Sequence, residues 1–301
     1  MFRKILIPLD GSPLAEQTLA FLPRFTQPLQ TELLLVSIVQ PWTYTMGATD
    51  AMPVSALDSL IDSWNTYLHE QALRLTGAGF NVRTQIREGD TALEILSLAG
   101  SEGVDLIAMS THGRAGLSRI ALGSIAERVL QGATLPLLLV RNQNVGQASS
   151  KIQQILTPLD GSDFAEQAVP LATEMAKQCG AELTLLRVIQ ELDEHNKRLL
   201  FKSQQEADES LQRVKGLTSR YLEQVAYRLY SDGFKVHCEI LSGEPSNTIC
   251  TTAETLPADL IVMSTHGRSG VARWMYGSVA NKVLRNAPCP VLLVRSKHDA
   301  K

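Results

Sequence analysis

The sequence predicts an α/β protein built from two repeated three-layer sandwich domains, each a five-stranded parallel sheet with helices on both faces. Three observations lead there. Short aliphatic runs alternate with longer helical stretches, and β-α alternation at this spacing means right-handed crossovers and a parallel sheet. The runs are apolar at nearly every position, as strands covered on both faces must be. The whole pattern also occurs twice: Met109-Ser-Thr-His-Gly-Arg-Ala-Gly116 returns as Met263-Ser-Thr-His-Gly-Arg-Ser-Gly270.

In chain order, Arg3 to Asp10 is a short strand ending in a carboxylate, and Lys151 to Asp160 repeats it. Gly11-Ser12-Pro13 follows, where Ser12 can cap a helix and Pro13 suits its first turn; the second half has Gly161-Ser162-Asp163. Leu33–Val39 and Leu183–Ile189 are the second strands, and helical stretches follow over 54–76 and 196–230. Gly79-Phe80 and Gly233-Phe234 turn into third strands that end at Gly89-Asp90 and Gly243-Glu244. After a further helix come the fourth strands, Val104–Met109 and Ala258–Met263, and the glycine loops. Leu135–Arg141 and Pro290–Arg295 close each half. Asp160 lies 150 residues after Asp10, but Gly233 lies 154 after Gly79, so four residues were added after the second strand. Four is close to one helical turn, and a helix can lengthen by that much without rotating its buried face. The polar stretch Asn142–Ser150 has no apolar period and reads as a linker, which puts the domains at 1–145 and 146–301.

At 301 residues the chain has room for two ordinary domains. A formal charge of −3 argues against nucleic acid, which calls for a basic face. No run reaches the roughly 18 apolar residues of a membrane span, and the apolar run near Ile5 is too short for a secretion signal. Cys179, Cys238, Cys250 and Cys289 all fall in the second half without a CxxC, so a disulfide framework or zinc site is not expected and a reduced cytoplasm fits. Cys289, between two prolines at the mouth of a strand, reads as a buried thiol.

Ser-x2-Gly-x9-Gly-Ser is complete in both halves, as Ser110, Gly113, Gly123, Ser124 and as Ser264, Gly267, Gly277, Ser278, with Gly116 and Gly270 inside the loops. Each loop leaves a buried strand and feeds a helix start, where free amides attract an anion. We therefore read both as phosphate cradles. Ser124 with Glu127 also matches a capping box, so its hydroxyl has two candidate uses; Asn281 replaces the glutamate in the second half. Asp10 and Asp160, at strand ends over the same crevice, are placed to accept from ribose hydroxyls or from loop amides. His112 and His266 read as loop braces, and Arg114, Arg119, Arg268 and Arg273 as phosphate contacts or solvated side chains. No nucleophile–base signature is present, so the sequence supports binding better than turnover.

On Pro8-x-Asp10, the Ser-Thr-His-Gly loop, Gly123-Ser124, the Pro-Leu-Leu-Leu-Val strand and their second-half counterparts, the chain resembles the universal stress protein family in a tandem form. The resemblance implies an adenine nucleotide α-hydrolase-like sandwich that pairs through its last strand, here within one chain and also as a homodimer. In one branch of the family it implies ATP binding through Gly-x2-Gly-x9-Gly-Ser/Thr. By position, Gly113, Gly123 and Ser124, with the Ile125 amide, would hold phosphates; Asp10 would face the ribose; Pro8 and Ile38 would border adenine, whose polar edge the main chain at Ile38 would read. The second-half counterparts are Gly267, Gly277, Ser278, Val279, Asp160, Pro158 and Val188. Ser110 and Ser264 stand where the family has its first glycine, keeping the amide and adding a Cβ. Magnesium or manganese would accompany the triphosphate, held by phosphate oxygens and water. Two other readings stay open at this point, a regulator that binds no nucleotide and a slow ATPase.

Overall fold

The computed structural model describes residues 2–40, 54–111, 122–141, 151–190, 192–230, 234–265 and 277–295. Gly113, Gly116, Gly267 and Gly270, both loop histidines, the loop arginines and the linker lie outside them.

The chain divides into two units, Met1–Lys151 and Ile152–Lys301. In the first, β1 (Lys4–Pro8), β2 (Glu32–Val39), β3 (Asn81–Glu88), β4 (Leu106–Ser110) and β5 (Leu137–Val140) stand in the order β3-β2-β1-β4-β5, all parallel. Helices α1 (Pro13–Phe21), α2 (Val54–Gly77), α3 (Thr91–Ser101) and α4 (Ser124–Gly132) cover both faces. The second unit repeats this with β6 (Gln154–Pro158), β7 (Glu182–Ile189), β8 (Val236–Ser242), β9 (Leu260–Ser264) and β10 (Val291–Val294) in the order β8-β7-β6-β9-β10. Its helices are α5 (Asp163–Glu166), α6 (Ala168–Cys179), α7 (Glu194–Leu200), α8 (Gln204–Tyr230), α9 (Pro245–Thr255) and α10 (Ser278–Asn286).

The central strands are apolar because helices bury them on both sides: Ile5, Leu6, Ile7, Leu33, Leu34, Leu35 and Val36 have no exposed surface. Third strands are outermost in each order and alternate more, with Asn81, Arg83 and Thr84 exposed on β3. Ser12 caps α1 by accepting from the Ala15 amide (3.1 Å), and Ser162 does the same for Ala165 (3.2 Å), as their position before the helix predicts. Cys289 is buried, and none of the four cysteines is disulfide-bonded.

The second long helical stretch departs from expectation. The single helix read over 196–230 is two, because the chain turns extended at Phe201 (φ −122°, ψ 142°) and restarts at α8. The restart is a Ser-x-x-Glu signal: Ser203 Oγ accepts from the Glu206 amide (3.1 Å), and the Glu206 carboxylate accepts from the Lys202 amide (2.8 Å). Apolar periodicity passes over such a break because both segments are polar on most faces.

At the amino-terminal edge of the sheets, remote from the glycine loops, Asp105 Oδ2 accepts from the amides of Arg3 (2.7 Å) and Lys4 (3.0 Å), which ties β4 to β1. Asp259 repeats this with Gln153 (2.7 Å) and Gln154 (3.1 Å). The first unit adds a charge cluster. Glu102 accepts from Lys4 (2.8 Å), Gln85 (3.1 Å) and Arg83 (3.0 Å). The Lys4 ammonium, ahead of the Gln85 amide, holds the Glu102 carboxyl down from 4.5 to about 2. A carboxyl depressed on folding stabilises the fold above its ordinary range, and that stability is lost as pH falls through the depressed value. Glu102→Gln should therefore lower the first unit's stability at pH 7 and lose its effect as pH falls from 4.5 towards 2. Urea unfolding at a series of pH values measures this, and a gap that does not vary with pH would contradict it.

Candidate functional site

In each unit the strand order reverses between the first and fourth strands, and crevices beyond the carboxyl ends of strands at such points are where α/β proteins bind ligands. Asp10 stands at this point in the first unit, after β1. Its Oδ1 accepts from the Ser12 amide (3.0 Å) and hydroxyl (2.6 Å). Asp160 repeats the pair with Ser162, at 3.0 and 2.6 Å. The loop-amide use anticipated for these carboxylates is thus realised through Oδ1, and it orients the carboxylate rigidly at the lip of the crevice.

The glycine loops are closed at their bases. The Thr111 amide donates to Val140 O (3.0 Å), and the chain returns with the Gly123 amide donating to Thr111 O (2.7 Å). The second unit has Thr265 on Val294 O (3.1 Å) and Gly277 on Thr265 O (2.8 Å). Gly123 and Gly277 are the N-caps, with no side-chain cap bond at either helix. This corrects the capping-box reading: Ser124 is the first helical residue rather than the cap, so its hydroxyl does not close its own helix. The Gly123 amide is engaged by Thr111, which leaves the Ser124, Ile125 and Ala126 amides as the first-turn donors without an intrahelical acceptor.

In the second unit these parts surround one cavity of about 780 Å³. Every second-half site residue that lies among the described residues lines it: Pro158 and Asp160 from the end of β6, Val188 from β7, Ser264 from β9, and Gly277, Ser278 and Val279 from the start of α10. Val214, Leu217, Thr218 and Tyr221 of α8 form a further wall, and Arg187 lines the cavity beside Val188. Leu217 is 61% exposed, an apolar side chain left at the mouth. The α8 wall is invisible to motif reading, because which helical face overlooks the crevice is set by packing. Arg187 did carry a signal, a lone charge inside the apolar run Leu183–Ile189. Its Nη1 donates to Val188 O (2.5 Å). In the first unit Pro8, Ile38, Ser110, Gly123, Ser124 and Ile125 hold the corresponding places at strand ends and helix start.

Among the described residues no group of three or more His, Cys, Asp or Glu side chains is arranged to hold a metal ion. No helix among them is long and apolar enough to cross a membrane.

A universal stress protein of Methanocaldococcus jannaschii is 33% identical to this chain over 163 residues, covering 52% of this chain and 89% of that protein. One of Mycolicibacterium smegmatis is 27% identical over 222 residues, covering 73% of this chain and 70% of that protein. The crystal structure of a universal stress protein from Archaeoglobus fulgidus shares the fold at a TM-score of 0.72 and 24% identity, covering 97% of this chain and 98% of that one. The model of the universal stress protein family matches residues 1–141 and again 151–295, and the chain therefore belongs to that family, as a tandem of two such domains.

Proposed function

We propose that this tandem stress protein binds purine nucleotides, with ATP as the ligand that its glycine loops suit, and that occupancy rather than turnover is its output. The carrying observation is the second-unit cavity. About 780 Å³ lies within the usual range for a small-molecule site, and its parts are sorted by chemistry. Pro158, Val188 and Leu217 offer apolar surface for a base, Asp160 a carboxylate for ribose hydroxyls, and the α10 start amides and a serine hydroxyl for phosphates. A magnesium or manganese ion would be carried in by phosphate oxygens and water. In this reading the protein acts in the cytoplasm.

Gly123→Val and Gly277→Val place branched carbon against the phosphate position, so the double variant should lose ATP binding with near-native circular dichroism. Calorimetry measures this, and an unchanged affinity would overturn the phosphate assignment. Mass spectrometry of material released from the denatured wild-type protein should find nucleotide.

The reading extends to assembly. The last strand of each half, β5 and β10, is apolar in sequence, and an apolar edge strand invites association. We propose that the two domains pair in pseudo-twofold fashion. A fragment of residues 1–145 should then dimerise in sedimentation at high micromolar concentration, and a monomer there would refute the pairing.

A further inference from the structure

The two sites differ where a base would be read. Leu186 O accepts from the Leu159 amide (2.8 Å), so at this point the carbonyls of β7 face β6. In a parallel ladder, residues two apart on a strand turn their carbonyls to the same neighbour. Val188 O therefore faces the β6 side too, but β6 has ended at Pro158, and the carbonyl opens over the crevice. There Arg187 Nη1 donates to it. The first unit has the same strand end: the Leu9 amide donates to Val36 O (2.8 Å), and Ile38 takes the place of Val188. Its neighbour is Ser37, fully buried, whose hydroxyl donates to Leu9 O (2.9 Å) and is too short to serve the Ile38 carbonyl.

We propose that the second-half site selects a 6-oxopurine nucleotide through Arg187, whereas the first-half site, with Ser37 in place of the arginine, keeps the 6-aminopurine preference of a strand-end carbonyl. This rests on the nucleotide-binding reading above. An exocyclic amino group needs an acceptor, and a carbonyl at the strand end supplies one. Where a guanidinium lies on that carbonyl, the edge presents N–H donors and the guanidinium has no acceptor to offer. A 6-amino group then meets donors, while O6 and N7 of a 6-oxopurine are both acceptors and match the arginine fork. Arg187 lines the cavity together with Tyr221 of the α8 wall.

The test uses full-length Gly123→Val, in which only the second-half site is intact, titrated with IDP and ADP in the presence of magnesium. These ligands differ only at the C6/N1 edge of the base. IDP should bind more tightly by at least about fivefold, the lower bound for one well-made bidentate base contact. Adding Arg187→Ser should remove that preference, and Arg187→Lys, which keeps the charge without the fork, should reduce it even if the serine variant folds poorly. In the reciprocal Gly277→Val chain ADP should be preferred. ADP binding as tightly as IDP to Gly123→Val, or a preference unmoved by both Arg187 variants, would overturn this selectivity and leave nucleotide binding standing. Failure of the wild-type chain to bind either ligand would overturn both.

Discussion

The hydrogen bond from the Gly123 amide to Thr111 O, repeated from Gly277 to Thr265 O, is the constraint on which the site depends. It joins the return of a long loop to the strand end that the loop left, and so fixes the first turn of α4 or α10 beside the carboxyl end of the fourth strand. The helix start, whose first amides have no acceptor within the helix, is thereby held over the switch point whatever path the intervening residues take. A glycine at the cap lets another group come close to that turn without meeting a side chain. The same threonine also donates to the fifth strand, through Val140 O or Val294 O, so the clamp is anchored on both sides.

The opposite edge of each sheet does different work. Asp105 and Asp259 each gather two amides from the start of the first strand, setting the register of β1 with β4 and of β6 with β9. In the first unit Lys4, Arg83 and Gln85 gather on Glu102; at the matching place the second unit has Leu256, and its cluster gathers instead on Glu182, with Gln154 at 3.1 Å, His237 at 3.5 Å and Lys235 at 3.8 Å. The repeat thus retains its backbone ties and lets its side-chain electrostatics drift. That is the expected outcome when a tie serves the main chain, because any residue may precede or follow it, whereas a charge cluster needs all its members at once.

A similar divergence at the ligand end has greater consequences. Ser37 and Arg187 occupy the same strand position, yet one hydroxyl stays inside the sheet and the other side chain reaches around to a strand-end carbonyl in the cavity. Because the carbonyl is an acceptor and the guanidinium is only a donor, this one difference adds N–H donors to the edge a base would meet.

Much of this was legible without coordinates, because it is written in local patterns. Apolar runs of strand length, a serine ahead of a helix, glycines at repeated intervals and a duplicated motif each act through near neighbours in the chain, so the α/β class, the tandem organisation and the strand-end residues followed directly. Helix boundaries were less secure: the break at Phe201 depends on a capping signal at Ser203 that competes with periodicity, and Ser124 proved to lie inside its helix because Gly123 already serves as the cap. What only the tertiary structure decided was which side chains share a space. That α8 walls the cavity with Leu217 and Tyr221, that Asp160 is turned by Ser162, and that Arg187 lies on the Val188 carbonyl all depend on contacts that folding creates. Such contacts are set by how helices pack on the sheet and how each strand ends, and no local pattern encodes that packing.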